Sequence, residues 1–531
     1  MTIHSAGAQT PPPLHRAALQ LAVAAGIWLG FPNDALQLPP LVLLWPLGLA
    51  LLGRTALSRM AALREGWLCS MAGGLAALYW LALPVHDVGG LPWLPAVACA
   101  LFITACITFA GGLFAAAAQA WRGRPVWAQA VLLGLCWYLL EEAGARLLGF
   151  PWLTVAGALA AWPLLVQAAD TLGGYALAGV WTTTVLLCGL GVHAGRRGRS
   201  SLAAGLLLTL ALLGYGGRQL AALPAAADPA GPDALDVLFV EGNVDQNQKW
   251  LPAFQRRTVD LYLTLTERAL AARPDKKPLI LWPETAMPFF FEEERLHTPR
   301  IRALAARNGG LLLLGAPGME HVPGRAEPRI YNRAFLLGPE GKTAGRYDKE
   351  HLVPFGEYLP EWLNWDFLEA LLQGVGVYSE GTSAAPLRQG DLALGVLICY
   401  EGIFPWLAQQ RVTERANILV DISNDGWFGM TPAARQHLYL TTLRALEQNR
   451  WILRGTNTGI SAVVDTRGRP VLRGGQFRAQ ALWGRAALQA APSLYHRCAP
   501  WLPFAAALAL AGALLLTSGG LRAARRSPST S

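Results

Sequence analysis

Three side chains in the less apolar middle of the chain have the types and placement of an acyl-transfer site. Glu284 stands in WPETA, Lys349 in YDKEHLVPFGEY and Cys399 at the end of LALGVLICYE, each just past or at the edge of an apolar, strand-like run. A carboxylate can take a proton, an amine can hold developing negative charge, and a thiol can carry an acyl group as a thioester. At the end of a buried strand the charged form of Glu284 is desolvated, which makes it a usable base. A helix-cap or salt-bridge glutamate is the competing reading. Lys349 is one of five Lys in a chain with 39 Arg, so an amine is kept where its proton can be tuned. Glu357, eight residues on, offers a second carboxylate to orient Lys349 or to move a proton. Cys399 is followed by Tyr400, Glu401 and a helix-like run, which puts it on a strand-to-helix turn. Backbone N–H groups and a helix N-terminus converge there, lowering a thiol from its usual pKa of about 8.5 and supplying an oxyanion hole. A lone buried Cys is otherwise inert packing; the ordered Glu–Lys–Cys set favours chemistry.

The rest of the composition removes other classes. Of seven Cys, five fall in charge-free apolar stretches, no CxxC pair occurs, and the nine His are scattered without ligand spacing. No metal and no cofactor are expected. His351, the one His beside a motif, reads as a polar neighbour. The net charge of +9 comes from arginines gathered in short loops between apolar stretches, a pattern that orients a membrane protein and does not bind nucleic acid.

The elements that must hold this site are of two kinds. With 53% hydrophobic and only 15% charged residues, and a mean hydropathy of +0.31, the chain is too apolar for an ordinary soluble enzyme. Charge-free stretches at 17–31, 36–53, 66–85, 91–118, 125–140, 171–192, 201–217 and 500–521 predict about eight membrane spans. Basic loops at Arg54–Arg64, Arg122–Arg124, Arg196–Arg199 and after Arg522 then fall on one side, with both termini cytoplasmic. The stretch 149–169 is also charge-free but would break that pattern, and is read as an interfacial or partly re-entrant helix. The middle segment must lie on the opposite, periplasmic face of a bacterial inner membrane. The expected division is a bundle over 1–220, a catalytic domain over 233–495, a last span at 500–521 and a cytoplasmic tail at 522–531.

Within 233–495, apolar runs at 236–240, 278–282, 310–316, 334–339, 392–398, 417–423 and 460–466 predict strands. Helix-patterned stretches at 252–272, 293–307, 402–415 and 432–450 lie between several of them. Alternating strands and helices predict a sheet structure covered by helices.

WPETA, YDKEHLVPFGEY, ICYE and NDGWFG resemble the signature blocks of the nitrilase, or carbon–nitrogen hydrolase, superfamily. With the flanking spans, HLVPFGEY resembles its membrane-embedded branch, the bacterial apolipoprotein N-acyltransferases. The resemblance covers nearly the whole chain. It implies an αββα nitrilase-like sandwich on an eight-span bundle, with Glu284 as general base, Lys349 as oxyanion stabiliser and Cys399 as nucleophile. Glu357, Tyr400 and Glu401 are implied to support the site. EGNVDQNQKW matches the family's opening block, which implies Gln246 and Trp250 in the pocket, and the block after the nucleophile implies Asn424, Trp427 and Phe428. The chain departs at Glu241, where an amide is commoner. The implied reaction takes an acyl chain from a phospholipid, such as phosphatidylethanolamine or phosphatidylglycerol. A Cys thioester then passes it to the N-terminal amine of an S-diacylglyceryl-cysteine apolipoprotein, with ping-pong kinetics. A monomer suffices.

Two apolar segments are expected to serve lipid entry. The stretch 359–378 carries Trp362 and Trp365 near Lys349, and MPFFF (287–291) follows Glu284. Both are read as loops dipping into the membrane interface, with a helix packed on the domain as the alternative for the first. A membrane-anchored amidase using water is the second functional reading, and a non-enzymatic scaffold the third.

Overall fold

The computed structural model describes residues 13–222, 234–324, 327–354, 356–358 and 378–525. They divide into two units, one from 1–79, 100–221 and 494–531, the other from 80–99 and 222–493.

The first unit is helical. Its helices are α1 (Pro13–Gly30), α2 (Leu44–Thr55), α3 (Arg59–Leu78), α4 (Trp93–Trp121, entering at Ala100), α5 (Val126–Leu148), α6 (Val155–Leu159), α7 (Ala169–His193) and α8 (Arg199–Ala221). Each of the eight charge-free stretches falls on a helix, the last on a C-terminal one over Leu502–Arg525. By length and apolar content, Arg59–Val88, Trp93–Trp121, Ala169–His193 and Gly195–Ala221 can each cross a membrane. Helices α5 and α7 pack where Gly134 meets Gly179: a Cβ on Gly179 would stand 2.6 Å from the Gly134 carbonyl oxygen. Small residues allow that approach, the usual device of apolar helix packing. The stretch 149–169 holds the five-residue α6, capped by the Thr154 hydroxyl, with Val155, Ala156, Ala158 and Leu159 fully buried, and a 3₁₀ turn at Pro163–Leu165. The helix is folded against the rest of the unit.

The second unit is a layered α/β structure. One sheet runs β12-β1-β2-β3-β4-β5 and the other β11-β10-β9-β8-β7-β6. The strands are β1 (Ala234–Glu241), β2 (Leu279–Leu281), β3 (Leu311–Glu320), β4 (Arg329–Leu337), β5 (Thr343–Asp348), β6 (Leu387–Gln389), β7 (Leu392–Ile398), β8 (Ile418–Ser423), β9 (Ile452–Thr456), β10 (Ala462–Val464), β11 (Pro470–Arg473) and β12 (Gln480–Ala487). Strands β1, β2 and β3 are parallel, as are β7, β8 and β9. Parallel strands are covered on both faces, so they read as unbroken apolar runs, which is why LALGVLI and NILVDIS stand out. Val237, Phe239 and Leu281 of the first sheet share one buried cluster with Val396, Ile398, Ile422 and Leu453 of the second, so the sheets stack face to face. The outer face of the first sheet, with Leu238, Ile280 and Leu312, packs on Val259 and Tyr262 of α10 (Pro252–Ala271) and Ile301 and Leu304 of α11 (Thr298–Asn308). Helices α12 (Pro405–Thr413) and α13 (Ala433–Gln448) contact β7 and β9 of the second sheet. The result is the αββα order; between β1 and α10 lies the short α9 (Gln246–Lys249).

One expectation is overturned. MPFFF is not an apolar tip: Met287 and Phe291 are fully buried and Phe289 nearly so, all in the cluster beneath α10 and α11. An apolar run so close to the sheet edge is consumed by the core before it can reach a membrane.

Candidate active site

Parallel strands leave their C-terminal ends side by side, and the candidate residues follow those ends or the end of the edge strand β5. Glu284 lies three residues past β2, Lys349 directly past β5, and Cys399 directly past β7. All three are buried, at 5%, 1% and 8% exposure, so their charges act in a medium that screens them poorly.

Lys349 Nζ donates to Glu357 Oε1 at 2.9 Å and to Glu284 Oε1 at 3.5 Å. Asn332, on β4, donates from one amide nitrogen to the same two oxygens, at 2.7 Å to Glu284 and 2.8 Å to Glu357. The Val353 N–H holds Glu357 Oε2 at 2.8 Å. Burial pulls the Lys349 ammonium down, but the two carboxylates override it and hold the amine well above the ordinary lysine range. Glu284 Oε2 is buried with no hydrogen-bond partner among the described residues. One oxygen of the carboxylate is thus fixed and the other is uncommitted.

Cys399 opens a short 3₁₀ turn, Cys399–Ile403, in a left-handed conformation, φ 57°. Thr285, next to Glu284, is left-handed too, φ 45°. Such conformations cost a β-branched residue most and persist where surrounding structure imposes them. Gly315 on β3 allows the second: a Cβ there would stand 2.5 Å from the Thr285 nitrogen. The expectation of a lowered thiol pKa is reversed. Burial, and next the charge of Glu284, push the Cys399 thiol well above its ordinary value, with Lys349 pulling the other way. The turn is too short to act as a helix N-terminus, so desolvation dominates and the thiol needs a base.

Glu401 is fully buried and ties the two sides together. It accepts from the Ile398 N–H at 2.8 Å, just before the thiol, and from Glu350 and His351 N–H at 2.7 and 3.0 Å, just after the amine. The Tyr347 hydroxyl adds bonds of 2.9 and 2.8 Å. Burial raises the Glu401 carboxyl, against the pull of Arg411. Tyr400 is buried between the rings of Phe404, edge-on at 5.0 Å, and His351, stacked at 5.8 Å. His351 is a ring neighbour whose burial, with Lys349, keeps it below the usual histidine range.

Gln246 and Asn424 meet each other: Asn424 Nδ2 donates to Gln246 Oε1 at 2.6 Å, and Asn457 donates to Asn424 at 3.1 Å and to the Val244 carbonyl at 2.8 Å. They bind the α9 loop to the strand ends. Trp250 is 41% exposed, and Trp427 and Phe428 are half-buried. Phe428 packs edge-on against Trp80 at 4.9 Å, and Trp80 Nε1 donates to Gln436 at 3.1 Å. Trp362 and Trp365 lie outside the described residues.

Several buried polar residues escaped the sequence reading, four of them most informative. Asn332 sits inside a strand, where Asn is disfavoured, and that was the available signal. Lys249 Nζ donates to Thr285 Oγ1 at 2.7 Å, and burial drops its pKa to about 7 against the charge of Glu284. Its scarcity as a Lys pointed to it as much as to Lys349. Arg454, on β9, is fully buried against Asp421 and Asp425, with Nη2 at 3.0 Å from each Asp425 oxygen. His437, on α13, is likewise buried.

A base, an ammonium between two carboxylates and a thiol on a constrained turn can form and break a thioester. A carbon–nitrogen hydrolase family model matches residues 246–490, and an apolipoprotein N-acyltransferase N-terminal domain model matches 23–190. The apolipoprotein N-acyltransferase of Geobacter metallireducens is 34% identical over 488 residues, covering 90% of this chain and 91% of that protein. That of Pseudomonas putida is 33% identical over 528 residues, covering 93% and 96%. Among solved structures, an amidase from Nesterenkonia sp. is similar at 18% identity and a TM-score of 0.34, covering 50% of this chain and 92% of that one. Apolar helices and bacterial relatives of this kind make this a bacterial membrane protein, and over nine-tenths of its length the chain belongs to the apolipoprotein N-acyltransferase family.

Proposed function

We propose that the protein transfers an acyl chain from a phospholipid to the N-terminal amine of S-diacylglyceryl-cysteine apolipoproteins, through a thioester on Cys399. Glu284 Oε2 takes the thiol proton as sulfur attacks the acyl ester carbonyl. Lys349, with two N–H groups engaged by Glu284 and Glu357, has a third for the tetrahedral oxyanion. Collapse breaks the ester C–O bond, and the lysophospholipid oxygen leaves with the proton from Glu284. In the second half, the lipoprotein α-amine attacks the thioester, Glu284 removes the ammonium proton, and the thiolate leaves and is reprotonated. The product is an amide and a triacylated lipoprotein. The observation that carries this reading is the buried, uncommitted Glu284 oxygen beside the Lys349 ammonium, with Cys399 near enough for the Glu284 charge to push its thiol up.

The wider assignment is part of the proposal. Residues 1–220 and 500–521 form the membrane bundle of eight spans, 233–495 the catalytic domain on the periplasmic side, and 522–531 a cytoplasmic tail. The arginine-bearing loops support that orientation. Phosphatidylethanolamine or phosphatidylglycerol is the donor, and the enzyme works as a monomer.

The test is the intact mass of the purified protein after incubation with phosphatidylethanolamine of defined chains, against C399A. One hydroxylamine-labile acyl adduct, absent from the variant, is expected. No adduct, together with hydrolysis of small amides, would replace the reading with a membrane-anchored amidase.

A further inference from the structure

The constrained turn at Cys399 is held from behind by a residue that the reaction above does not use. His437 is 1% exposed, and its Nε2 lies 3.2 Å from the Cys399 carbonyl oxygen. A carbonyl only accepts, so Nε2 must carry the proton. On the other side of the ring, Nδ1 lies 3.1 Å from Asp425 Oδ1 and 3.0 Å from Arg454 Nη2. A neutral ring accepts there from Arg454, and a protonated ring donates there to Asp425. Both states keep the Nε2–H bond to Cys399, so this grip does not depend on whether His437 is charged.

The same Asp425 also holds the strand end beside the turn: Ser423 Oγ donates to Asp425 Oδ1 at 2.9 Å. Phe428 lies edge-on to the His437 ring, centroids 6.2 Å apart. Backbone and ring are therefore braced against one buried carboxylate, itself fixed by Arg454.

We propose that His437 is a positioning residue for the nucleophile: its Nε2–H fixes the Cys399 carbonyl, and so the left-handed turn that aims the thiol at Glu284 and the acyl carbonyl. The inference rests on Cys399 being the nucleophile. It differs from a cysteine–histidine pair that shares a proton, because the ring reaches the backbone.

The test pairs two variants of the full-length protein in detergent. His437→Gln keeps an amide N–H at the reach of Nε2. His437→Asn keeps a polar group toward Asp425 and Arg454 but falls short of the Cys399 carbonyl. Both are checked by thermal melting, then read for alkylation of Cys399 by iodoacetamide from pH 6 to 10 and for acylation by phosphatidylethanolamine. In H437N both rates are expected to fall about tenfold at every pH, with the pH inflection and the KM for lipid unchanged. In H437Q they stay within about threefold of wild type. Wild-type rates in H437N, an equal loss in H437Q, or an inflection moved by about a pH unit or more would each overturn the inference. A wild-type protein that is alkylated but never acylated would overturn the proposed function instead, and the alkylation arm would still decide the role of His437.

Discussion

The candidate site has two halves, and they are built differently. The half carried by the first sheet, with Glu284, Asn332, Lys349 and Glu357, lies mostly in loops past strand ends and keeps one carboxylate oxygen uncommitted. The half carried by the second sheet sets Cys399 before a buried block of Ser423, Asp425, His437 and Arg454. There, Asp425 has both oxygens bonded. Burial raises the Asp425 carboxyl, yet Arg454 and His437 override it and hold the group well below the usual carboxylate range. In the proposed reaction, one half must change protonation in each turnover. The other needs only to keep a direction. The difference predicts that substitutions in the first half cost activity, whereas substitutions in the second cost stability first.

The largest effect belongs to the proposed base, Glu284. E284Q keeps the shape and the bond from Asn332 but cannot take a proton, so single-turnover acylation of Cys399 should fall about 10³-fold, within the usual span of general-base loss. Its melting temperature should change little. A loss below about tenfold would break the comparison, because the first half would then hold no base.

The second half should answer in stability. R454M leaves Asp421 and Asp425 buried without their cation, and breaking such a pair costs about 3–5 kcal/mol. Denaturant unfolding would measure it. A variant of unchanged stability with lost activity would place Arg454 with the chemistry and erase the distinction.

How much of this was legible follows the same line. The runs at β3, β7 and β8, and the patterns at α10, α12 and α13, were readable because buried parallel strands and amphipathic helices leave strong periodic signals. The apolar stretches of the first unit were readable for the same reason. Glu284, Lys349 and Cys399 stood out because each follows such a run. β9 was missed because Arg454 breaks its apolar pattern, and the charge makes sense only beside Asp421, its register partner on β8. β12 was missed because its partner β1 lies more than two hundred residues away, pairing Ala234 with Ala487. MPFFF was misread because periodicity does not say which side of a loop the core will claim. Asn332 and His437 act through bonds that join different strands and helices, and no local pattern encodes such a meeting.

Lys249 sharpens the picture of the first half. Its pKa in the fold, about 7, lies below that of the unfolded chain, because burial disfavours the ammonium. Stability from this group is therefore present above about pH 10.5 and lost as pH falls through 7. K249M removes a charge the fold resists, so it should be the more stable protein at pH 6–7, by about 2–3 kcal/mol after loss of the Thr285 bond, with the gap closing toward pH 10. Melting curves across that range would check it. A destabilised variant would mean that the ammonium is held by Glu284 strongly enough to belong to the working set.

Glu241 gives the smallest effect and a control outside both halves. It ends β1, accepts from the Ser461 N–H at 3.2 Å and from Gln480 Nε2 at 2.5 Å, and is 1% exposed. Burial lifts its carboxyl to about 7, and no cation offsets it among the causes of that shift. The folded pKa exceeds the unfolded one, so the stability it contributes is full below about pH 4.5 and is lost as pH rises through 7. E241Q keeps the shape of the side chain and cannot ionise. It should match wild type near pH 4.5 and exceed it at pH 8 by about 1–2 kcal/mol, with acylation unchanged. If E241Q instead slowed acylation, the strand end that begins the α9 loop would be coupled to the base, and the first half would reach further than its four residues.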